Sequence, residues 1–161
     1  NDKLYNKEIN INVNGVISGS MKAFELMRKD HGGNGGAIIN FSSIAGIQNI
    51  ASVPVYSASK TAVLQFSVCL GANYARSGIR VLTMCFGATD TTILKNENIA
   101  AFDEESRMSR RKARVESAVN CVIHAFKNGA SSSTWLSTDD EPPLEITDRV
   151  ERAFQILGEG A

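Results

Sequence analysis

Ala37-Ile38-Ile39-Asn40-Phe41-Ser42-Ser43 is a short apolar run that ends in two hydroxyls. Ala37–Phe41 reads as a buried strand, because it is brief, apolar and bounded by His31-Gly32-Gly33-Asn34-Gly35-Gly36 before it and by Gly46 and Pro54 after it. Ile79-Arg80-Val81-Leu82-Thr83-Met84-Cys85 reads as a second strand. Between them Val55 to Ser77 carries Ala58, Ala62, Val63, Phe66, Leu70 and Tyr74 at helical periods, and Gly78 closes it. Two buried strands joined by a long helix make a parallel crossover unit, since parallel neighbours cannot be joined by a tight turn.

The same alternation continues in both directions. Upstream, Lys7 to Lys29 repeats apolar residues at helical spacing (Ile9, Val13, Val16, Ile17, Ala23, Phe24, Met27), with Gly15 and Gly19 weakening it locally. Downstream, residues 86–112 are long and irregular. Val115–Lys127 is expected to be a helix with Val119, Val122, Ile123 and Phe126 inward, and Ser133–Leu136 a last strand. After Pro142-Pro143, the residues Ile146, Val150, Ala153, Phe154 and Leu157 mark a final amphipathic helix. Strands alternating with long helices imply an α/β fold, a parallel sheet covered on both faces. Three strands are fewer than a doubly wound sheet usually has. Residues 1–161 are therefore expected to be the C-terminal part of a doubly wound, Rossmann-like parallel-sheet domain, unable to fold well or bind cofactor alone.

The 161 residues are 43% apolar and 21% charged, with 17 Lys+Arg against 17 Asp+Glu. A neutral chain has no global field to draw it to nucleic acid or an anionic membrane. No apolar run reaches the ~20 residues of a spanning helix. Cys69, Cys85 and Cys121 are odd in number and lack metal spacing, which reads as reduced thiols in a cytoplasmic protein and predicts no metal site. His31 and His124 stand alone. Asn40-Phe41-Ser42 fits a glycosylation sequon inside a strand pattern, where a chance match is expected.

Chemistry gathers on the helix that follows the first strand. Tyr56 and Lys60 of Tyr56-Ser57-Ala58-Ser59-Lys60 are four apart and project from one face. A free tyrosine, with a pKa near 10, is a poor base at neutral pH. An ammonium ~4 Å away at an effective dielectric of ~20 offers roughly 4 kcal/mol to the phenolate, about three pKa units. Ser43 ends the strand at the carboxyl edge of a parallel sheet, where ligands bind. The helix carrying Tyr56 begins beside that edge, so Ser43 and Tyr56 can share one substrate oxygen.

Ile38–Gly46, then Tyr56-Ser57-Ala58-Ser59-Lys60-Thr61-Ala62-Val63, resemble the short-chain dehydrogenase/reductase family. Ile11-Asn12-Val13-Asn14-Gly15-Val16 resembles its catalytic-asparagine helix, and Phe86-Gly87-Ala88-Thr89-Asp90-Thr91 its nicotinamide-side loop. The resemblance implies hydride transfer between an alcohol (secondary, or of fatty or prenyl type) and NAD, with NADP as the other possibility. It makes Tyr56 the acid/base, Lys60 its helper and a ribose ligand, Ser43 the holder of the substrate oxygen, and Asn12 the anchor of a proton-relay water. Asn14 competes with Asn12, which stands three residues before Gly15 as the family's asparagine stands before a small residue. Gly87, Thr89 and Thr91 fall where the nicotinamide is held. The resemblance further implies a homodimer across the helices Lys7–Lys29 and Val55–Ser77. Val16-Ile17-Ser18-Gly19 and the tail around Trp135 are similar to the hydroxyprostaglandin-dehydrogenase and insect-alcohol-dehydrogenase branches.

Two departures stand out. Phe86 occupies the place of the family's proline, and the glycine-rich phosphate turn, with the residue that selects NAD over NADP, is expected upstream of Asn1. The rival reading is a catalytically inactive relative serving as a binding or storage protein, which Phe86 favours and the quartet Asn12, Ser43, Tyr56 and Lys60 opposes. The basic run Arg107–Arg114 follows Asp103-Glu104-Glu105 and has no interleaved aromatic, so it reads as a solvated segment rather than a nucleic-acid site. Thr91 to about Lys112, long and polar, reads as a substrate lid. Ser43 lacks a histidine partner or a nucleophile elbow for hydrolysis.

Overall fold

The computed structural model describes residues 2–92 and 112–159. Helix α1 (Asp2–Ile9) runs through a π turn (Asn10–Asn14) into α2 (Gly15–Met27). Strand β1 (Gly36–Ser43) follows, then a 3-10 turn (Ile44–Gly46), α3 (Pro54–Gly71), the single turn α4 (Tyr74–Ser77) and β2 (Ile79–Phe86). After the undescribed stretch come α5 (Val115–Asn128), β3 (Thr134–Ser137), β4 (Leu144–Glu145) and α6 (Thr147–Gly158).

The sheet order is β1-β2-β3-β4, with β1, β2 and β3 parallel. The short β4, antiparallel to β3, is a fourth strand that the sequence pattern does not reveal. Two residues make no periodicity, and it is pairing of Leu136 with Leu144 after the Pro142-Pro143 turn that creates it.

Side-chain alternation sorts the two faces. Ile38, Ile79 and Val81 pack with Phe24 of α2 and Leu70 of α3, and α6 joins that side through Val150 against Leu64. Leu82, Met84 and Trp135 pack on the other side against Cys121 and Ala125 of α5. The crossovers from β1 to β2 and from β2 to β3 step the same way across the sheet but run over opposite faces. They therefore have opposite hand, and only one is the right-handed form that such units nearly always take.

Three sequence expectations change. The helix foreseen over Lys7–Lys29 is helical from Asp2 but broken by the π turn. The helix foreseen over Val55–Ser77 stops at Gly71, where Ser131 donates to the Gly71 carbonyl (2.9 Å) and Ser132 to that of Val68 (3.1 Å), which also accepts from the Ala72 amide. Gly78, at φ 65°, then makes the left-handed reversal into β2. On α5, Val119, Ile123 and Phe126 are exposed, and Cys121 and Ala125 form the buried seam. The helix has two apolar faces, and contact with Leu82, Met84 and Trp135 chooses the one built of small residues. No helix among the described residues is long and apolar enough to cross a membrane.

Candidate active site

The turn that follows β1 sits hard against α3. Ser42 Oγ donates to the Lys60 carbonyl (2.8 Å), and Thr61 Oγ1 donates to the Gly46 carbonyl (3.1 Å). A Cβ on Gly46 would lie 2.8 Å from both the Lys60 carbonyl carbon and Ser42 Oγ, so only glycine permits this approach. The contact fixes Ser43 relative to the first turn of α3. Ser43 Oγ accepts from the Ala45 amide (3.2 Å) and donates to the Phe86 carbonyl (3.3 Å), joining the ends of β1 and β2.

Tyr56 lies in that first turn, half-buried, with Pro54 opening the helix. Burial pushes its phenol above the usual tyrosine range. The Ser43 hydroxyl, facing the phenol, pulls the other way, and the Glu8 carboxylate of α1 adds to the rise. Lys60 follows one turn on. Its Nζ donates to the Phe41 carbonyl (3.0 Å) and lies 5.6 Å from the Tyr56 ring centroid. Burial pushes the ammonium below the usual lysine range. The i, i+4 spacing of Tyr56 and Lys60 predicts an ammonium that lowers the Tyr56 pKa. Here the phenol rises instead, because desolvation outweighs the Ser43 hydroxyl that pulls it down.

The π turn gives the two asparagines different surroundings. The Gly15 amide donates to the Asn10 carbonyl, five residues back. Asn12 is half-buried and its Nδ2 donates to Ser59 Oγ (3.2 Å), whereas Asn14 is exposed and bonds Asn10 Oδ1 (2.7 Å). Ser59, fully buried, donates to the Tyr56 carbonyl (2.7 Å). Asn12 is thus tied to the turn that bears Tyr56. Single π turns inside helices are rare and recur at functional sites. The link through Ser59 was missed in the sequence, although a serine on the same helix turn as Tyr56 and Lys60 was a visible signal.

Gly87, Thr89 and Thr91 follow β2 at the same carboxyl edge. The Gly87 amide donates to the Ser137 carbonyl (2.9 Å), and a Cβ there would meet Thr138 Cγ2 at 2.8 Å. Thr89 Oγ1 donates to the Gly87 carbonyl (3.2 Å). An isolated parallel bridge joins Thr89 to Ala113 through bonds from Ala113 to Ala88 and from Asp90 to Ala113. Thr91 is half-exposed at a bend. Most of the lid expected over Thr91–Lys112, and the basic run up to Arg111, lie outside the described residues.

A groove of about 550 Å³ between α2 and the open edge of β1 reaches Asn12, Asn40 and Lys60. The Lys60 ammonium at the end of this groove suits the ribose of a nicotinamide nucleotide. Among the described residues no glycine-rich turn follows a strand and opens a helix, so its phosphates have no cradle here.

Residues 1–101 match the family described as short chain dehydrogenase. The chain is 42% identical over 110 residues to human 15-hydroxyprostaglandin dehydrogenase [NAD(+)], covering 65% of this chain and 41% of that protein. It is 40% identical over 90 residues to Alcohol dehydrogenase 1 of Ceratitis capitata, covering 55% and 35%. With Fat body protein 2 of Drosophila melanogaster it is 28% identical over 143 residues, covering 84% and 56%. The match thus spans between about a third and three fifths of these proteins' lengths. Its fold superposes on levodione reductase with a TM-score of 0.69 at 22% identity, covering 84% of this chain and 56% of that one. For a 4-hydroxyisoleucine dehydrogenase mutant complexed with NADH and succinate the TM-score is 0.68 at 18% identity, covering 86% and 60%.

Proposed function

Since the chain belongs to the short-chain dehydrogenase family, we propose that it carries the proton-transfer half of an NAD-dependent alcohol dehydrogenase. The observation that carries this reading is the meeting of Ser43 and Tyr56 at the carboxyl edge of β1, with Lys60 one turn on and Asn12 bonded into the same helix.

The Ser43 hydroxyl, held by Ala45 and Phe86, orients the oxygen of an alcohol against the Tyr56 phenol. Tyr56, which holds its phenol proton in this structure, passes that proton on toward Lys60 and Asn12 and takes the alcohol's hydroxyl proton as the carbonyl forms. Lys60 and Asn12 line the route by which that proton leaves, and Lys60 offers its ammonium to ribose hydroxyls when it releases the Phe41 carbonyl. When bound, NAD supplies the hydride acceptor. Gly87, Thr89 and Thr91 hold its carboxamide end. The relatives named for alcohols and hydroxyprostaglandin favour NAD and a secondary or long-chain alcohol. Residues 1–161 form one part of a larger dinucleotide-binding domain, whose phosphate-binding half lies outside them. The protein works in the cytoplasm as a homodimer across both long helical segments, residues 7–29 and 55–77.

The test follows reduced-cofactor absorbance of the full-length protein with primary and secondary alcohols and either NAD or NADP. Turnover that vanishes in Tyr56→Phe supports the reading. No turnover with any alcohol and either cofactor sinks it and favours the inactive relative.

A further inference from the structure

Asn40 is a polar residue in the middle of a buried strand, and it is 6% exposed. Such a group is retained in a sheet interior only with its hydrogen bonds satisfied. Its two ends reach different helices. Ser20 Oγ of α2 donates to Asn40 Oδ1 (3.0 Å), and Asn40 Nδ2 donates to Ser67 Oγ of α3 (2.9 Å). Ser67 in turn donates to the Val63 carbonyl (2.7 Å). That bond uses the only proton of the Ser67 hydroxyl, so Ser67 must accept from Asn40 and the amide has one orientation.

The three elements joined are those that carry the candidate quartet. The segment that continues into α2 bears Asn12, β1 ends in Ser43, and α3 bears Tyr56 and Lys60. Asn40 stands in register with Thr83 of β2 and Thr134 of β3. Those two hydroxyls are fully buried without a hydrogen-bond partner among the described residues, so the row's polar links to the helices run through Asn40. Neighbouring Phe41 offers the carbonyl that holds Lys60.

We infer that Asn40 is a positioning residue for the alcohol-oxidising site: its amide sets the spacing of α2, β1 and α3 and so brings Asn12, Ser43 and Tyr56 together. The inference rests on the dehydrogenase reading for its effect on turnover, and on geometry alone for its effect on Tyr56.

Two variants of the full-length protein test it. Asn40→Leu keeps the volume and removes both bonds, leaving Ser20 without its acceptor. Asn40→Asp reproduces the pattern only while protonated, when its carbonyl accepts from Ser20 and its hydroxyl donates to Ser67. Ionised, it has no proton to give, and burial raises the pH at which that happens. In an active protein, Asn40→Leu should lower kcat by about a hundredfold, the scale of a displacement near 1 Å. Asn40→Asp should hold near-native kcat at low pH and lose it as pH rises, against a parallel wild-type profile. Independently of turnover, the tyrosinate absorbance of Tyr56, isolated by subtracting the matching Tyr56→Phe protein, should titrate at a shifted midpoint in Asn40→Leu. Melting is recorded for each variant, and Asn40→Asp at low pH serves if Asn40→Leu does not fold. A wild-type protein without turnover removes the dehydrogenase reading, and the Tyr56 midpoint then decides Asn40 alone. An unchanged midpoint, or native kcat in Asn40→Leu, overturns the inference.

Discussion

Lys60 Nζ donates to the Phe41 carbonyl at 3.0 Å, so the end of β1 holds the ammonium while Tyr56, one turn earlier, keeps its proton. Burial disfavours the charge on Lys60. Lys60→Met keeps most of the apolar stem and removes that charge. Expected is a fall in turnover of about a hundredfold or more with a melting temperature at or above wild type. A clear drop in melting temperature would show that the bond to Phe41 outweighs desolvation.

Tyr56→Phe deletes one hydroxyl and keeps the packed ring. Turnover should fall by at least about a hundredfold, with melting at neutral pH close to wild type. The folded-state pKa of Tyr56 is raised, so its neutral form is favoured in the fold. That contribution is full below the unfolded value of about 10 and disappears as pH climbs through the folded one. Wild type should therefore lose stability relative to Tyr56→Phe above pH ~10. Parallel urea midpoints from neutral to alkaline pH would contradict this.

Gly46→Ala should separate the turn after β1 from α3. Its Cβ would meet main-chain atoms of Lys60, which cannot swing aside as a side chain could. Loss of both stability and turnover is expected, with a cost of about 1–3 kcal/mol for overpacking, read from denaturant midpoints. A native midpoint with native kcat would show that the contact does not set the site.

Arg28 grips Asp30 by two bonds (2.7 and 2.6 Å) and also holds Glu25, at the end of α2. The guanidinium holds the Asp30 carboxyl down at about 2. A lowered carboxylate contributes stability that is full above its unfolded pKa of about 4 and is lost as pH falls toward the folded value. Asp30→Asn should therefore melt lower than wild type at pH 6, with the gap closing toward pH 2. A gap independent of pH would mean that Asp30 acts by packing alone.

Ala58, Ala62, Gln65 and Cys69 point outward from α3, the face proposed for the homodimer. Cys85 and Cys121 are buried, and burial pushes each thiol up to about 11. In the full-length protein Cys69 should alkylate faster as dilution separates the dimer, while Cys85 and Cys121 wait for unfolding. A monomer by sedimentation, with Cys69 reacting at one rate throughout, would remove the interface.

Sequence alone determined the parallel α/β order, and its resemblance to the family marked Asn12, Ser43, Tyr56 and Lys60 as the candidate quartet. Strand runs such as Ile79–Cys85 and the spacing of Tyr56 from Lys60 are local, and local geometry follows from chain period. Tertiary structure decided what depends on partners distant in sequence. It bonded Asn12, and not Asn14, to Ser59, 47 residues away. It buried Cys121 and Ala125 rather than Val119 and Ile123, because Leu82, Met84 and Trp135 select one of two apolar faces on α5. It ended α3 at Gly71 with serines from the turn before β3, and it gave Asn40 the neighbours that turn an apparent sequon into a buried link. It also set the direction of the Tyr56 shift. Four residues of helix place Lys60 on the right face, but the Phe41 carbonyl that its ammonium meets is supplied by the strand packed beneath it.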